Sequence, residues 1–169
     1  MKIYLAGPLF SAAERTFNKL LADRLRMAGH KLWLPQESEQ RSMSARQIFD
    51  KDVEGVDWAE VVVANMDGPD PDSGTCWECG YAYRKKPVIV FRTDFRAGDE
   101  PGMAPFNLML TESATRFLDL VFKDEDKREF ADTDSVALKI IRALDELAAA
   151  ARKTHVGAPA GVDPKPGSE

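Results

Sequence analysis

The sequence predicts an α/β fold, a single-domain three-layer sandwich built on a parallel five-stranded sheet. Three observations carry that expectation. Short apolar runs of strand length alternate with longer stretches whose apolar residues recur at helical spacing. The runs stop at Gly, Pro or Asp, and the helical stretches open on capping signals. Alternating strands and helices imply parallel strands joined by right-handed crossovers.

Ile3 to Ala6 is the first apolar run, closed by Gly7-Pro8. Ser11 with Glu14 forms a capping-box signal for a helix that carries Phe17, Leu20, Leu21 and Leu25 on one face. Lys31 to Leu34 reads as a second strand stopped by Pro35, after which Ser44 and Gln47 offer a second capping box for a helix from Ala45 to Trp58. Glu60 to Asn65 holds the most strand-like run, followed by the turn-rich Asp67 to Gly74 and a third helix from Thr75 to Arg84. Pro87 to Phe91 is a fourth strand, Asp94 to Pro105 a long loop suited to covering a site, and Arg116 to Leu120 a fifth strand. The last helix spans Asp134 to Ala150 with Val136, Ile140, Ile141, Leu144 and Leu147 on one side. Residues 1–153 therefore form the domain, and the Pro- and Gly-rich stretch 154–169 reads as a disordered tail. This is the doubly wound, flavodoxin-like pattern, in which ligands bind outside the carboxyl ends of the strands. Attention falls on the loops Gly7 to Ser11, Pro35 to Arg41 and Asp67 to Gly74.

Composition narrows the partners. A net charge of −5 argues against a nucleic-acid polymer, whose phosphates require clustered Lys and Arg, and favours a small ligand. No apolar run is long enough to span a membrane, and Met1-Lys2-Ile3-Tyr4 enters a strand at once without a signal-peptide pattern, so a cytoplasmic location is expected. Cys76 and Cys79 share one helix face, yet no second Cys or His pair completes a zinc site, and apolar packing is the commoner use of free Cys.

Four residues stand out as chemical candidates. Glu78 lies about one turn into the third helix, where the positive end of the macrodipole would hold it ionised as a nucleophile requires. The alternative is an ordinary helix-start preference, against which its aromatic neighbours Trp77 and Tyr81 weigh. Asp52 falls within the apolar stripe of Phe49, Val53 and Val56, so it is either a functional carboxyl or one bound to a structural amide. Asp72 sits where an N-terminal cap belongs, and Tyr4 lies in the first strand near the ligand edge, where core packing is the simpler role. Carboxylates gathering at the strand ends suggest glycosyl chemistry, in which one group meets the anomeric carbon and another handles a proton.

These segments resemble the nucleoside 2-deoxyribosyltransferase family. The similarity runs through Lys2 to Phe10, Leu34-Pro35-Gln36, Asp52-Val53, Asp70 to Thr75, Glu78 to Ala82 and Asn107-Leu108-Met109. Several separated segments in the right order are more specific than any single motif. The resemblance implies that Glu78 is the nucleophile at C1', that Asp52 exchanges a proton with the base, and that Tyr4 lies near Glu78 and the sugar. It further implies that Gly7, Gly74 and Met109 help form the site, that Gln36 hydrogen-bonds the base or places Asp52, and that Phe10 and Trp77 supply apolar walls. The substrates would be deoxynucleosides and free nucleobases, with no metal or organic cofactor. Asn107 would come from a neighbouring subunit, which implies a homo-oligomer, a dimer or a hexamer.

Within the resemblance, Asp72 and Asn107 stand where nucleoside transferases hold the sugar 5'-hydroxyl, whereas related nucleoside monophosphate hydrolases carry small hydroxyl residues there. Ser11, Ser73 and Arg92 leave some room for a phosphate. Some bacterial transferases end in an aromatic residue that reaches the site, while this chain ends in Gly167-Ser168-Glu169. The rival readings are an N-glycoside hydrolase of nucleoside monophosphates or of the cytokinin-activating phosphoribohydrolase type, and a non-catalytic nucleotide- or flavin-binding module. The phosphoribohydrolase type normally has a longer Gly-rich phosphate loop than Asp72-Ser73-Gly74.

Overall fold

The computed structural model describes residues 1–38, 42–95 and 105–156, the last three by backbone alone. Five parallel strands make the main sheet: β1 (Lys2–Ala6), β2 (Lys31–Trp33), β3 (Val61–Asn65), β4 (Val88–Arg92) and β5 (Arg116–Asp119). Their order is β2-β1-β3-β4-β5, the doubly wound arrangement expected from the alternating pattern. Helices α1 (Ala12–Met27), α2 (Ala45–Trp58), α3 (Ser73–Ala82), α4 (Leu108–Ser113) and α5 (Thr133–Val156) cover both faces.

Period-two alternation along the strands sorts the core into two layers. Ile3, Leu5, Val61, Val63, Ile89 and Phe91 pack with Leu21, Leu25, Ile140 and Leu144 of α1 and α5. Tyr4, Ala6, Val62, Ala64, Val88 and Val90 face the other way, among Val56 of α2 and Cys79 and Ala82 of α3. A one-residue slip of β1 would exchange these sets, so burial on both faces fixes the register that points Tyr4 at α3. Gly55 on α2 lets the helix approach Trp33, because a Cβ there would lie 2.4 Å from the indole nitrogen.

Both capping boxes form. The Ser11 side chain accepts from the Glu14 amide while the Glu14 carboxylate accepts from Ser11, and Ser44 and Gln47 do the same for α2. Other expectations are corrected. The third helix starts at Ser73 and not Thr75, because Asp72 caps it, and it ends at Ala82 before Arg84, whose positive φ of 63° breaks helical geometry. The last helix runs to Val156, well past Ala150 and into the stretch read as a tail. Residues 157–169 lie outside the described residues, as do residues 96–104 of the expected covering loop. The turn of 3-10 helix at Pro35–Glu37, the short α4, and the hairpin of β6 (Phe122–Asp124) and β7 (Glu129–Phe130) carried no sequence expectation. No helix among the described residues is long and apolar enough to cross a membrane.

Candidate active site

The sheet order reverses between β1 and β3. The loop after β1 leads to α1 on one face and the loop after β3 leads to α3 on the other, so a crevice opens between their carboxyl ends. A cavity of about 200 Å³ fills it. Gly7, Leu9 and Phe10 form one wall, Pro35 and Ile48 another, and Asp52, Asp72, Gly74, Thr75 and Glu78 the polar remainder. Of the three loops singled out above, each contributes to this lining.

Tyr4 and Glu78 meet at its base. The Tyr4 hydroxyl donates to Glu78 Oε1 across 2.5 Å, and Tyr4 is fully buried. Burial, reinforced by the neighbouring Glu78 carboxylate, pushes the phenol pKa upward, so the hydroxyl keeps its proton and remains a donor. Among the described residues no group donates to Glu78 Oε2. The expectation that the macrodipole holds Glu78 ionised is corrected here. Glu78 is the sixth residue of α3, beyond the first turn in which the dipole acts, and burial dominates. Burial pushes its pKa up to about 7, with the Tyr4 hydrogen bond opposing and the charges of Asp52 and Asp72 adding to the rise.

Asp52 reaches the same cavity from α2, and its Oδ1 is buried without a hydrogen-bond partner among the described residues. Such an oxygen is costly, and burial accordingly raises the Asp52 pKa. Asp72 does cap α3, as its position suggested, with Oδ2 accepting from the Thr75 amide at 2.8 Å and the Thr75 hydroxyl at 3.0 Å. Its other oxygen has no bond to a described residue. Three carboxyl groups thus line one cavity, and no Lys or Arg is among its described lining residues. Arg92 does not compensate for them. It is 2% exposed and engaged by Asp94, by the Pro105 carbonyl at 3.1 Å and by the Gly68 carbonyl at 2.8 Å.

The structure gathers Gly7, Phe10, Asp52, Asp72, Gly74 and Glu78 in the lining, with Tyr4 bonded to Glu78 but fully buried, and leaves four other candidates elsewhere. Gln36 points away: its Nε2 donates to the Arg15 carbonyl at 2.8 Å and its Oε1 accepts from Asn18 at 3.3 Å. Trp77 forms no wall, because successive helix residues point in different directions. Its ring stacks on Tyr81 at 5.2 Å and meets Phe49 edge-on at 5.1 Å on the outer surface. Asn107 caps α4 through the Met109 amide at 2.9 Å, and Met109 borders a separate groove with Cys76, Gly80, Tyr83 and Leu110. Cys79 is buried beside Glu78, and burial pushes its thiol up to about 12, as suits packing and not redox chemistry. Sequence reasoning missed Leu9, Pro35, Ile48 and Thr75. Ile48 was findable, since it lies one helical turn before Asp52 on the same face.

A sequence model of the family described as nucleoside 2-deoxyribosyltransferase matches residues 3–109, a span that holds every carboxylate of the cavity. The chain belongs to the nucleoside 2-deoxyribosyltransferase family. Among solved structures, a 2-deoxyribosyltransferase from Bacillus psychrosaccharolyticus is 27% identical with a TM-score of 0.59, covering 77% of this chain and 97% of that one. A 2-deoxyribosyltransferase from Leishmania mexicana is 26% identical with a TM-score of 0.54, covering 69% and 89%. A conserved protein from Enterococcus faecalis is 27% identical with a TM-score of 0.64, covering 85% and 98%. No curated protein matches the sequence. The nucleoside 2-deoxyribosyltransferase resemblance therefore extends over the strands, loops and helices that carry the cavity.

Proposed function

We propose that this protein transfers a 2-deoxyribosyl group between nucleobases by a retaining double displacement through Glu78. The observation that carries the reading is the meeting in one cavity of Asp52, with a buried oxygen that has no partner among the described residues, and Glu78, which Tyr4 holds by a hydrogen bond. Tyr4 occupies Oε1 and orients the carboxylate, leaving Oε2 to attack C1'. As the C1'–N bond breaks, Asp52 delivers a proton to the departing base and a deoxyribosyl ester forms on Glu78. A second base attacks the same carbon, Asp52 takes the proton back, and the ester breaks to regenerate the carboxylate. Two inversions retain configuration. A Glu78 pKa of about 7 leaves a substantial ionised fraction at neutral pH, while a carboxyl raised by burial is suited to donate. Incubation with deoxyinosine and adenine, followed by chromatography, tests the reading. New deoxyadenosine supports transfer, hypoxanthine without new nucleoside replaces it by hydrolysis, and full activity in Glu78→Ala removes Glu78 from the role.

The cavity favours nucleosides over nucleotides. The free oxygen of Asp72 can accept a hydrogen bond from a 5'-hydroxyl, whereas a phosphate would meet three carboxyl groups and no cation among the described lining residues. The reading includes a homo-oligomer in which Asn107 serves a neighbouring site. Leu108 and Met109 beside it are 61% and 71% exposed, an apolar helix end suited to a second copy. Sedimentation of the purified chain as a monomer would remove that element.

A further inference from the structure

Asn18 is an anomaly on α1. It is 5% exposed, on a helix that otherwise buries Leu21, Ala22 and Leu25. A buried amide is costly unless its donors and acceptors are met, so an apolar residue would serve packing better. What Asn18 does instead is join two segments. Its Nδ2 donates to the Pro8 carbonyl at 2.9 Å and to Gln36 Oε1 at 3.3 Å. Pro8 stands between Gly7 and Leu9, which line one wall of the cavity, and Gln36 follows Pro35, which lines the other. Gln36 completes the connection by donating to the Arg15 carbonyl, and the Arg15 side chain in turn holds the Leu9 and Phe10 carbonyls at 3.2 and 2.9 Å. Carbonyls of three consecutive loop residues are thus gathered by α1, and one buried amide ties that loop to the opposite wall.

We propose that Asn18 is a positioning residue that fixes the gap between the two apolar walls and thereby sets which size of nucleobase the cavity accepts. The inference rests on the transferase reading. The apolar walls suit the flat base, with Asp52 at its edge, while Glu78 and Asp72 suit the sugar, so wall spacing governs the base. Asn18 touches no substrate. It acts through Pro8 and Gln36, and its loss frees the walls to separate, which favours the larger purines over pyrimidines.

The test compares kcat/KM for purine and pyrimidine deoxynucleoside donors in the wild type, Asn18→Leu, Gln36→Leu and the double variant. A ratio of rates is insensitive to the fraction of folded enzyme, so a purely structural role leaves it unchanged. Both single variants should raise the purine to pyrimidine ratio by roughly fivefold or more, the scale on which pocket fit discriminates. The double variant should add little, because both replacements break one link. Hydrogen exchange at the Phe10 amide, which donates to the Glu14 carboxylate at 2.9 Å, should quicken in Asn18→Leu while β3 amides stay protected. An unchanged ratio with a uniform fall in kcat overturns the proposal, as does a shift in Gln36→Leu alone, which would mean that Gln36 contacts the base directly. A wild type inert toward every deoxynucleoside is the failure of the transferase reading instead. The exchange measurement needs no substrate, and unchanged loop protection there refutes the brace by itself.

Discussion

Replacing Glu78 by Gln should make the protein more stable, and increasingly so as the pH rises. The carboxyl titrates near 7 in the fold, against an ordinary value of 4.5. Between those values the native state holds a proton that the unfolded chain has released, so wild-type stability falls as pH increases. Below about pH 4.5 both states are protonated and no penalty exists. At about pH 5 the penalty is under ~1 kcal/mol, and by about pH 8 it reaches about 3 kcal/mol. Gln matches the shape of the neutral acid and still accepts from Tyr4, so it escapes this loss. For a chain of this size the gain at the higher pH corresponds to roughly 6–12 °C in Tm. Asp52 also titrates upward, but it is present in both proteins and largely cancels in the comparison. Thermal unfolding followed by circular dichroism at the two pH values measures the effect. A stability difference of equal size at both, or a variant less stable at the higher pH, refutes the assignment of a buried carboxyl with a raised pKa at this position.

Asp52→Asn should slow cleavage most for nucleosides whose bases leave poorly without a proton, and least for those with good leaving groups; an equal loss across a leaving-group series would assign Asp52 to positioning. Wild type should prefer deoxyinosine over its 5'-monophosphate by roughly tenfold or more in kcat/KM, since a charged hydrogen bond is lost and repulsion is gained. Asp72→Ser should narrow that gap with little loss of Tm, because Ser caps a helix nearly as well; a wild-type preference for the monophosphate would instead favour the hydrolase reading. Gly55→Ala should destabilise the protein by roughly 1–3 kcal/mol, measured by urea unfolding, because the new methyl must displace Trp33.

The sheet was legible because buried parallel strands are continuous apolar runs between turn residues, and Val61 to Asn65 shows this plainly. Helix starts were legible where a capping box announces them, at Ser11 and Ser44. By contrast α4 spans under two helical turns and the β6–β7 hairpin has no continuous apolar run, so neither shows in the pattern. Within the site, Asp52 could be found because a carboxyl on an apolar stripe is costly. The upward shift of the Glu78 pKa could not, since it depends on burial by residues remote in sequence. Gln36 and Trp77 lie outside the lining because neighbours in a motif need not point the same way, and hydrogen-bond partners on α1 decide where the Gln36 amide goes.

The bond between Tyr4 and Glu78 joins residues 74 positions apart, and Asp52 arrives on yet another crossover. Each helix can form from local contacts, but this constellation exists only after the first three strands have been zipped side by side. Long-range closure is the slow step of such topologies. Catalytic competence is consequently a clock for the end of folding: on refolding, helical ellipticity should return first and turnover last. A collapsed chain with full helix content and an unpaired β1 would be silent in any activity assay, which makes the enzyme its own reporter of a completed sheet.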